Sequence, residues 1–183
     1  EYIEPSATNF QFEVSVDAGQ VFTMPTINSF LYLPYGGVNN ASSGILVYDY
    51  TVDWGDGSAI PTITAYNSAS RIHTFVNAGK YIITISSTTK KFPSFDCSDN
   101  GYTAIRPLIT RIISWGDVGL KKFNLYGCTA LITLPEQPQK LTSLLTLTNF
   151  CYGCLSLTSI PYGTFFKTGT DNMVVGDASY AFY

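Results

Sequence analysis

Charged residues are scarce in this sequence. Lysine and arginine number 10 and aspartate and glutamate 13, so that 13% of the 183 residues are charged and the formal net charge is -3. A chain this poor in cationic side chains has no basic surface to attract phosphate backbones or anionic lipid. Binding to nucleic acid is therefore not expected.

Long hydrophobic runs are also missing. No stretch approaches the roughly 20 apolar residues needed to cross a bilayer as a helix, and we predict no membrane-spanning segment. The chain begins at Glu1 without an initiator methionine or a charged-then-apolar leader, which favours a mature or trimmed product. Its four cysteines are too few for the disulfide framework of a small secreted scaffold.

Catalytic patterns are absent as well. His73 is the single histidine, so no plausible Ser, His and Asp set for nucleophilic catalysis can be assembled. No glycine-rich loop precedes a helix to hold phosphate. Asp96 and Asp99 are carboxylates, but nothing singles them out as a glycosidase pair. We therefore predict that the chain is not an enzyme.

Short runs of alternating apolar and polar residues fill the first half, and they indicate half-buried strands. Hydrophobic residues make up 45% of the chain and aromatic residues 15%, enough to form the core of one or two domains. Pro34–Gly44 is rich in Gly, Asn and Ser and is predicted to be an exposed loop. The predicted strands are Phe10–Val16, Gln20–Met24, Ile45–Trp54, Ile60–Tyr66 and Lys80–Ser86.

Two motifs lie about twenty residues apart in this strand-rich half. The first reads VDWGDGS at residues 52–58, a strand that ends in a tight Asp-Gly turn, and the second reads IHTF and then NAGKYIITI over residues 72–85. Together they resemble the PKD family of immunoglobulin-like β-sandwiches over about residues 8–90. The resemblance implies that Trp54 anchors the sandwich core and that His73 is a strand residue.

Asp53 and Asp56 carry the one metal hypothesis. Carboxylate oxygens are the ligands that Ca2+ prefers, and some PKD-like domains bind calcium. Two aspartates alone are too few for such a site, so we favour the alternative in which both accept turn and backbone hydrogen bonds. No other cofactor is predicted.

An internal repeat occupies the second half, which changes character near Thr103. The segment FNLYGCTALITLP at residues 123–135 recurs as NFCYGCLSLTSIP at residues 149–161, 26 positions later. This pattern resembles the BspA-like leucine-rich repeats of surface proteins from gut and oral bacteria, some protozoa and their phages. The resemblance implies a solenoid whose continuous core would be formed by Leu131, Leu134, Leu157 and Ile160.

The cysteines fit the same repeat. Cys128 and Cys154 occupy one repeat position, so we expect them to lie above one another as small buried hydrophobes. The CxxC spacing of Cys151 and Cys154 lacks a second pair, and neither zinc binding nor redox chemistry is predicted from it. Residues 177–183, DASYAFY, resemble the lead into a further repeat and stop before its Gly-Cys. We therefore expect a piece of a longer protein.

These observations predict a mainly β chain in three segments: a PKD-like β-sandwich at residues 1–90, a linker and start of the solenoid at 91–120, and truncated BspA-like repeats at 121–183. Such an architecture is typical of a protein that offers a binding surface rather than a catalytic site. We expect an extracellular cell-surface protein for adhesion to, or recognition of, protein or glycan on a host or neighbouring cell. The candidate ligand contacts are Tyr35, Tyr48, Tyr66 and Trp115.

Two alternatives stay open. The first is a structural virion component of a phage, a fibre or capsid decoration that self-associates on the particle surface. The second is an accessory binding module of a carbohydrate-active enzyme.

Overall fold

The structure, a computed structural model, describes residues 8–32, 42–135 and 143–161 and is mainly β. Within these residues the helices are three 3-10 turns of three residues each. The strands are β1 (Phe10–Val16), β2 (Val21–Thr23), β3 (Ser29–Tyr32), β4 (Ser42–Ile45), β5 (Asp49–Asp53), β6 (Thr62–Ile63), β7 (Ile72–Thr74), β8 (Gly79–Lys91), β9 (Ser94–Asp96), β10 (Ile109–Ser114) and β11 (Lys122–Asn124).

A five-stranded antiparallel sheet with the order β10-β1-β8-β5-β6 forms one layer. Strand β1 pairs with β8 along all seven of its residues, from Phe10 opposite Ile85 to Val16 opposite Gly79. Side chains alternate between the two faces of a strand, and one face of β1 consists of Phe10, Phe12, Val14 and Val16, all buried. That face forms one side of the hydrophobic core.

Two smaller groups of strands cover this buried face of the five-stranded sheet. Strands β2 and β7 form an antiparallel ribbon, and the ring of Phe22 on β2 lies 5.8 Å from that of Phe12. Strands β9 and β11 pair in parallel, and the rings of Phe95 and Phe123 lie 5.2 and 5.8 Å from that of Phe10. Large aromatic side chains bury much apolar area each, so this cluster is the main source of cohesion between the layers.

Three chain segments lie side by side in the C-terminal half. Residues 94–96 pair in parallel with 122–124, and Lys122 also forms a parallel bridge with Thr146. We call residues 94–97, 122–128 and 146–154 the first, second and third rungs. The backbone contacts continue into the turns, because Gly127 N–H donates to the Tyr152 carbonyl at 2.8 Å. The second rung therefore lies between the first and the third.

Strand β10 contacts both the five-stranded sheet and the chain that follows the second rung. On one edge it pairs antiparallel with β1, and beyond its other edge Arg111 forms a parallel bridge with Thr133. The N–H of Ile132 donates to the Thr110 carbonyl at 2.8 Å across this second edge. One continuous hydrophobic cluster extends from Phe10 to Cys154. The division of the chain at residues 90 and 120 stays a prediction.

The mainly β character of the chain is confirmed, and β1 has the predicted bounds. Strand β8 runs five residues beyond the predicted end at Ser86, because Lys91 pairs with Asp49 although the apolar alternation has stopped. The predicted strand Ile60–Tyr66 is wrong over most of its length, since only Thr62–Ile63 pairs with β5.

The predicted strand Ile45–Trp54 is interrupted. Residues 46–48 lie between β4 and β5, where Leu46 N–H donates to the carbonyl of Asn28 instead of joining the sheet. The predicted loop Pro34–Gly44 is wrong at its end, because residues 42–44 belong to β4, which pairs with β3. Its other residues, 34–41, lie outside the described ones, as does the third repeat match at 177–183.

No helix of the described residues has the length and hydropathy that crossing a bilayer requires.

Candidate functional site

The Asp-Gly motif forms the tight turn that follows β5. The Asp53 carboxylate accepts the N–H of Gly55 at 2.9 Å, and the Asp56 carboxylate accepts the N–H of Ser58 at 3.0 Å. Gly55 has a positive φ of 80°, and a Cβ there would lie 2.5 Å from the Ile82 carbonyl oxygen. Glycine is required at this position on both counts, so the motif is fitted to its turn.

The single histidine joins this turn to the ribbon. His73 Nε2 lies 2.7 Å from Asp56 Oδ2, and the imidazole stacks on the Trp54 indole at 4.8 Å and 10°. Partial burial acts to raise the pKa of the Asp56 carboxyl, but hydrogen bonds from Ser58 and His73 outweigh it and lower the pKa to about 2. The carboxylate is therefore charged at neutral pH and holds β7 against the turn.

The calcium hypothesis for Asp53 and Asp56 stays a prediction. Both carboxylates are engaged in the turn and in the contact with His73. Within residues 8–32, 42–135 and 143–161, no three His, Cys, Asp or Glu side chains are grouped so as to hold a metal ion.

Of the predicted contact residues, the three that the structure describes are not brought together on one surface. Tyr48 is 2% exposed and its hydroxyl donates to the Ile27 carbonyl at 2.6 Å, and Trp115 is 2% exposed and packs on Phe123. Their positions are those of core residues, as large aromatics on strands and turns commonly are. Tyr66 is half-buried against the core, and Tyr35 lies outside the described residues.

A column of stacked side chains marks the outside of the rungs. The rings of Tyr126 and Tyr152, from equivalent repeat positions, lie 5.1 Å apart at 11°. The Arg106 guanidinium covers the other face of the Tyr126 ring at 5.0 Å, and its Nε donates to the Cys97 carbonyl at 2.7 Å. Because both faces of Tyr126 are covered, this ring cannot serve as a stacking platform for a sugar. Its part is to join neighbouring rungs.

Exposed residues follow both Gly-Cys turns. Ile132 and Leu155 are apolar, yet 49% and 82% of their surfaces are exposed. We call the exposed positions that follow the two Gly-Cys turns the repeat strip: Thr129, Ile132, Thr133, Leu155, Ser156, Thr158 and Ser159. All seven are uncharged, so any partner would contact hydroxyl groups and methyl groups rather than charged groups.

Sequence reasoning missed this strip. One signal could have found it, because Leu155 occupies the repeat position at which the other copy has Thr129. An apolar residue at a position that is polar in its counterpart is not needed for the shared core. The pairing of His73 with Asp56 carried no such signal, since no periodic pattern relates the two positions.

No protein-family model matches the chain, and the searches of curated proteins and of solved structures found no significant match.

Proposed function

We propose that this chain is a non-enzymatic extracellular surface protein for adhesion or recognition, in which a PKD-like sandwich carries stacked leucine-rich repeats. The observation that carries the proposal is the contact between equivalent repeat positions. Tyr126 stacks on Tyr152, and the Cβ position of Gly153 lies 3.6 Å from the Gly127 Cα atom. Side chains 26 positions apart meet in this way when repeats stack with a constant register.

The sandwich part of the proposal rests on the two motifs and their contacts. Trp54 directly follows β5, is 2% exposed and lies 6.5 Å from the ring of Phe22 in the opposite layer. A tryptophan that bridges two packed sheets is typical of immunoglobulin-like sandwiches. In the proposal the sandwich supports the repeats.

The repeat strip is the proposed recognition surface. Uncharged hydroxyl groups suit hydrogen bonding to a glycan or to a protein backbone, and Ile132 and Leu155 offer the apolar contacts that usually dominate binding energy. Neither requires a charged partner, in keeping with a chain that is 13% charged. A protein or glycan on a neighbouring cell is therefore the proposed partner.

The test is binding of the 183-residue chain to an array of host and bacterial glycans and to a panel of extracellular-matrix proteins. We expect the double variant Ile132→Asp, Leu155→Asp to weaken any binding about 10-fold or more, because charge would enter an apolar contact. Ile72→Asp is the matched control, since Ile72 is 50% exposed on the β2–β7 ribbon, close to the 49% of Ile132. It is expected to bind like the parent chain.

Three results would count against the proposal: no binding by the parent chain, equal loss in the Ile72 control, or turnover of a bound glycan. Antibody labelling of intact source cells tests the proposed cell-surface location. Recovery of the chain with phage particles, or within a larger carbohydrate-active enzyme, would favour one of the two alternatives, which stay predictions from the sequence.

A further inference from the structure

Four buried cysteines form two thiol pairs in this molecule. Cys97 in the first rung contacts Cys128 in the second through a hydrogen bond between their side chains. Cys151 and Cys154 make the same contact within the third rung. None of the four forms a disulfide. Two pairs of the same chemical kind therefore lie in one chain, in different surroundings.

The Cys151–Cys154 pair is held by a tight turn. The N–H of Cys154 donates to the Cys151 carbonyl at 3.2 Å, and the ends of a four-residue turn lie within about 7 Å of each other. A disulfide joins residues whose Cα atoms are about 4.4–6.8 Å apart. The two sulfur atoms can therefore be bonded with little movement of the backbone.

Exposure separates the two pairs. Cys97 and Cys128 are 0% exposed, whereas Cys151 keeps 5% and Cys154 keeps 9% of its surface. Cys154 also precedes Leu155, which is 82% exposed. A small reagent in solution therefore has more access to this pair than to the first one.

The two thiols of the Cys151–Cys154 pair are not equivalent. The hydrogen bond from the Cys151 thiol lowers the pKa of Cys154, burial opposes this, and the N–H of Cys128 adds to the lowering. Burial raises the pKa of Cys151 and that of Cys97. In its protonated form Cys154 donates to the Leu125 carbonyl at 3.2 Å. The thiolate is the nucleophile in thiol–disulfide exchange, and because the pKa of Cys154 is lowered while that of Cys151 is raised, we expect Cys154 to be the attacking group.

We propose that Cys151 and Cys154 form a redox-active dithiol that small disulfides oxidise to an intrachain disulfide, while Cys97 and Cys128 stay reduced. The proposal goes beyond the proposed adhesion function and does not depend on it. It adds a chemical site to the third rung, at which the substrate is a low-molecular-weight disulfide.

The exchange proceeds in two steps. The Cys154 thiolate attacks one sulfur of the small disulfide, whose S–S bond breaks, and the first small thiolate leaves and takes up a proton. The Cys151 thiol then loses its proton and attacks the Cys154 sulfur, which releases the second small thiol. The protein gives up two electrons and two protons, and the small disulfide gains them.

The test uses the fully reduced 183-residue chain and oxidised glutathione. Samples are quenched with acid, unfolded, alkylated and digested with trypsin, which places Cys151 and Cys154 in one peptide, residues 141–167, without the other two cysteines. We expect this peptide to lose two hydrogen atoms about 100-fold faster than Cys97 or Cys128 loses its free thiol, because a fully buried pair reacts only after local opening.

Single variants assign the roles. In Cys151→Ala, a mixed disulfide with glutathione is expected to accumulate on Cys154, whereas in Cys154→Ala, Cys151 is expected to stay a free thiol over the same time. Cys97→Ala is the control and is expected to keep the oxidation of the Cys151–Cys154 pair.

Equal oxidation of the two pairs, no disulfide in peptide 141–167, or a mixed disulfide on Cys151 in Cys154→Ala would each overturn the proposal. The first two results come from the parent chain, so they do not depend on whether a variant folds. Failure here would leave binding by the repeat strip untouched.

Discussion

The antiparallel sheet and the stacked rungs are held together in different ways. In the sheet, core side chains meet residues from distant strands at positions that no repeat relates, as when Phe12 packs on Phe22. In the rungs one residue type meets its own counterpart, as in the Tyr126–Tyr152 stack. A change in the sheet therefore alters one set of contacts, whereas a change in the rungs alters the contacts to the rungs above and below.

Phe123→Ala removes a ring that contacts both the sheet and the rungs. The Phe123 ring lies 5.8 Å from Phe10 in the sheet, 5.5 Å from Phe95 and 5.5 Å from Phe150 in the neighbouring rungs. We expect its loss to lower the free energy of unfolding by about 3–5 kcal/mol, measured by guanidinium titration. Leu155→Ala is the control, with an expected change within about 0.5 kcal/mol.

Hydrogen exchange shows whether the two regions respond together to Phe123→Ala. We expect faster exchange both in β8 and in the rungs, because the ring contacts both regions. Faster exchange in the rungs alone would show that the sheet is independent of them.

Gly116→Ala tests the junction between β10 and the start of β1. Gly116 has a φ of 59°, and a Cβ there would lie 2.3 Å from the Asn9 carbonyl carbon. We expect a loss of roughly 3 kcal/mol in the free energy of unfolding. Gly57→Ala is the matched control, since Gly57 has a φ of 79° but no neighbour within 4 Å, and its expected loss is about 1 kcal/mol. Equal losses would mean that strain rather than close packing matters at the junction.

Asp56→Asn tests the contact between the turn and β7 in the sheet region. We expect it to lower the free energy of unfolding by about 1–2 kcal/mol at neutral pH. Folding lowers the pKa of Asp56 from its ordinary 3.8 to about 2. The carboxylate thus contributes stability that is full above pH 3.8 and is lost as the pH falls toward 2. We expect the free energy of unfolding to fall more steeply over this range in the parent chain than in the variant. Parallel curves would contradict the role given to the His73 contact.

The smallest expected effect concerns the tyrosine column. A double-mutant cycle with Tyr126→Leu and Tyr152→Leu is expected to give a coupling of about 0.5–1 kcal/mol, since stacked aromatic pairs contribute this much beyond their area. Pairing Tyr126→Leu with Tyr81→Leu, in β8, serves as the control cycle and is expected to be additive. Coupling of similar size in both cycles would remove the distinction between the two regions.

Local patterns in the sequence predicted what is local in the structure. The alternation from Phe10 to Val16 identified β1 with its correct bounds, and the Asp-Gly motif identified the turn after β5. The 26-residue spacing identified positions that meet, Tyr126 and Tyr152. Each of these features is encoded within a short window or a fixed period.

Long-range pairing was not predictable in this way. Nothing near Ile109–Ser114 indicates that this strand pairs with β1, nearly a hundred residues earlier. The burial of Tyr48 and Trp115 likewise depends on which layers cover them, and the exposure of Ile132 depends on its place outside the rungs. For the candidate site, the sequence identified the repeat but not the face of the repeat that is exposed.

The sharing of β10 has a consequence for dissecting the chain into fragments. A fragment that ends at residue 90 keeps β1 but lacks the strand that pairs with its outer edge. A seven-residue strand with free N–H and carbonyl groups and exposed phenylalanines is a template for pairing with another chain. Such a fragment is expected to self-associate, so the smallest soluble unit would extend at least through Ser114.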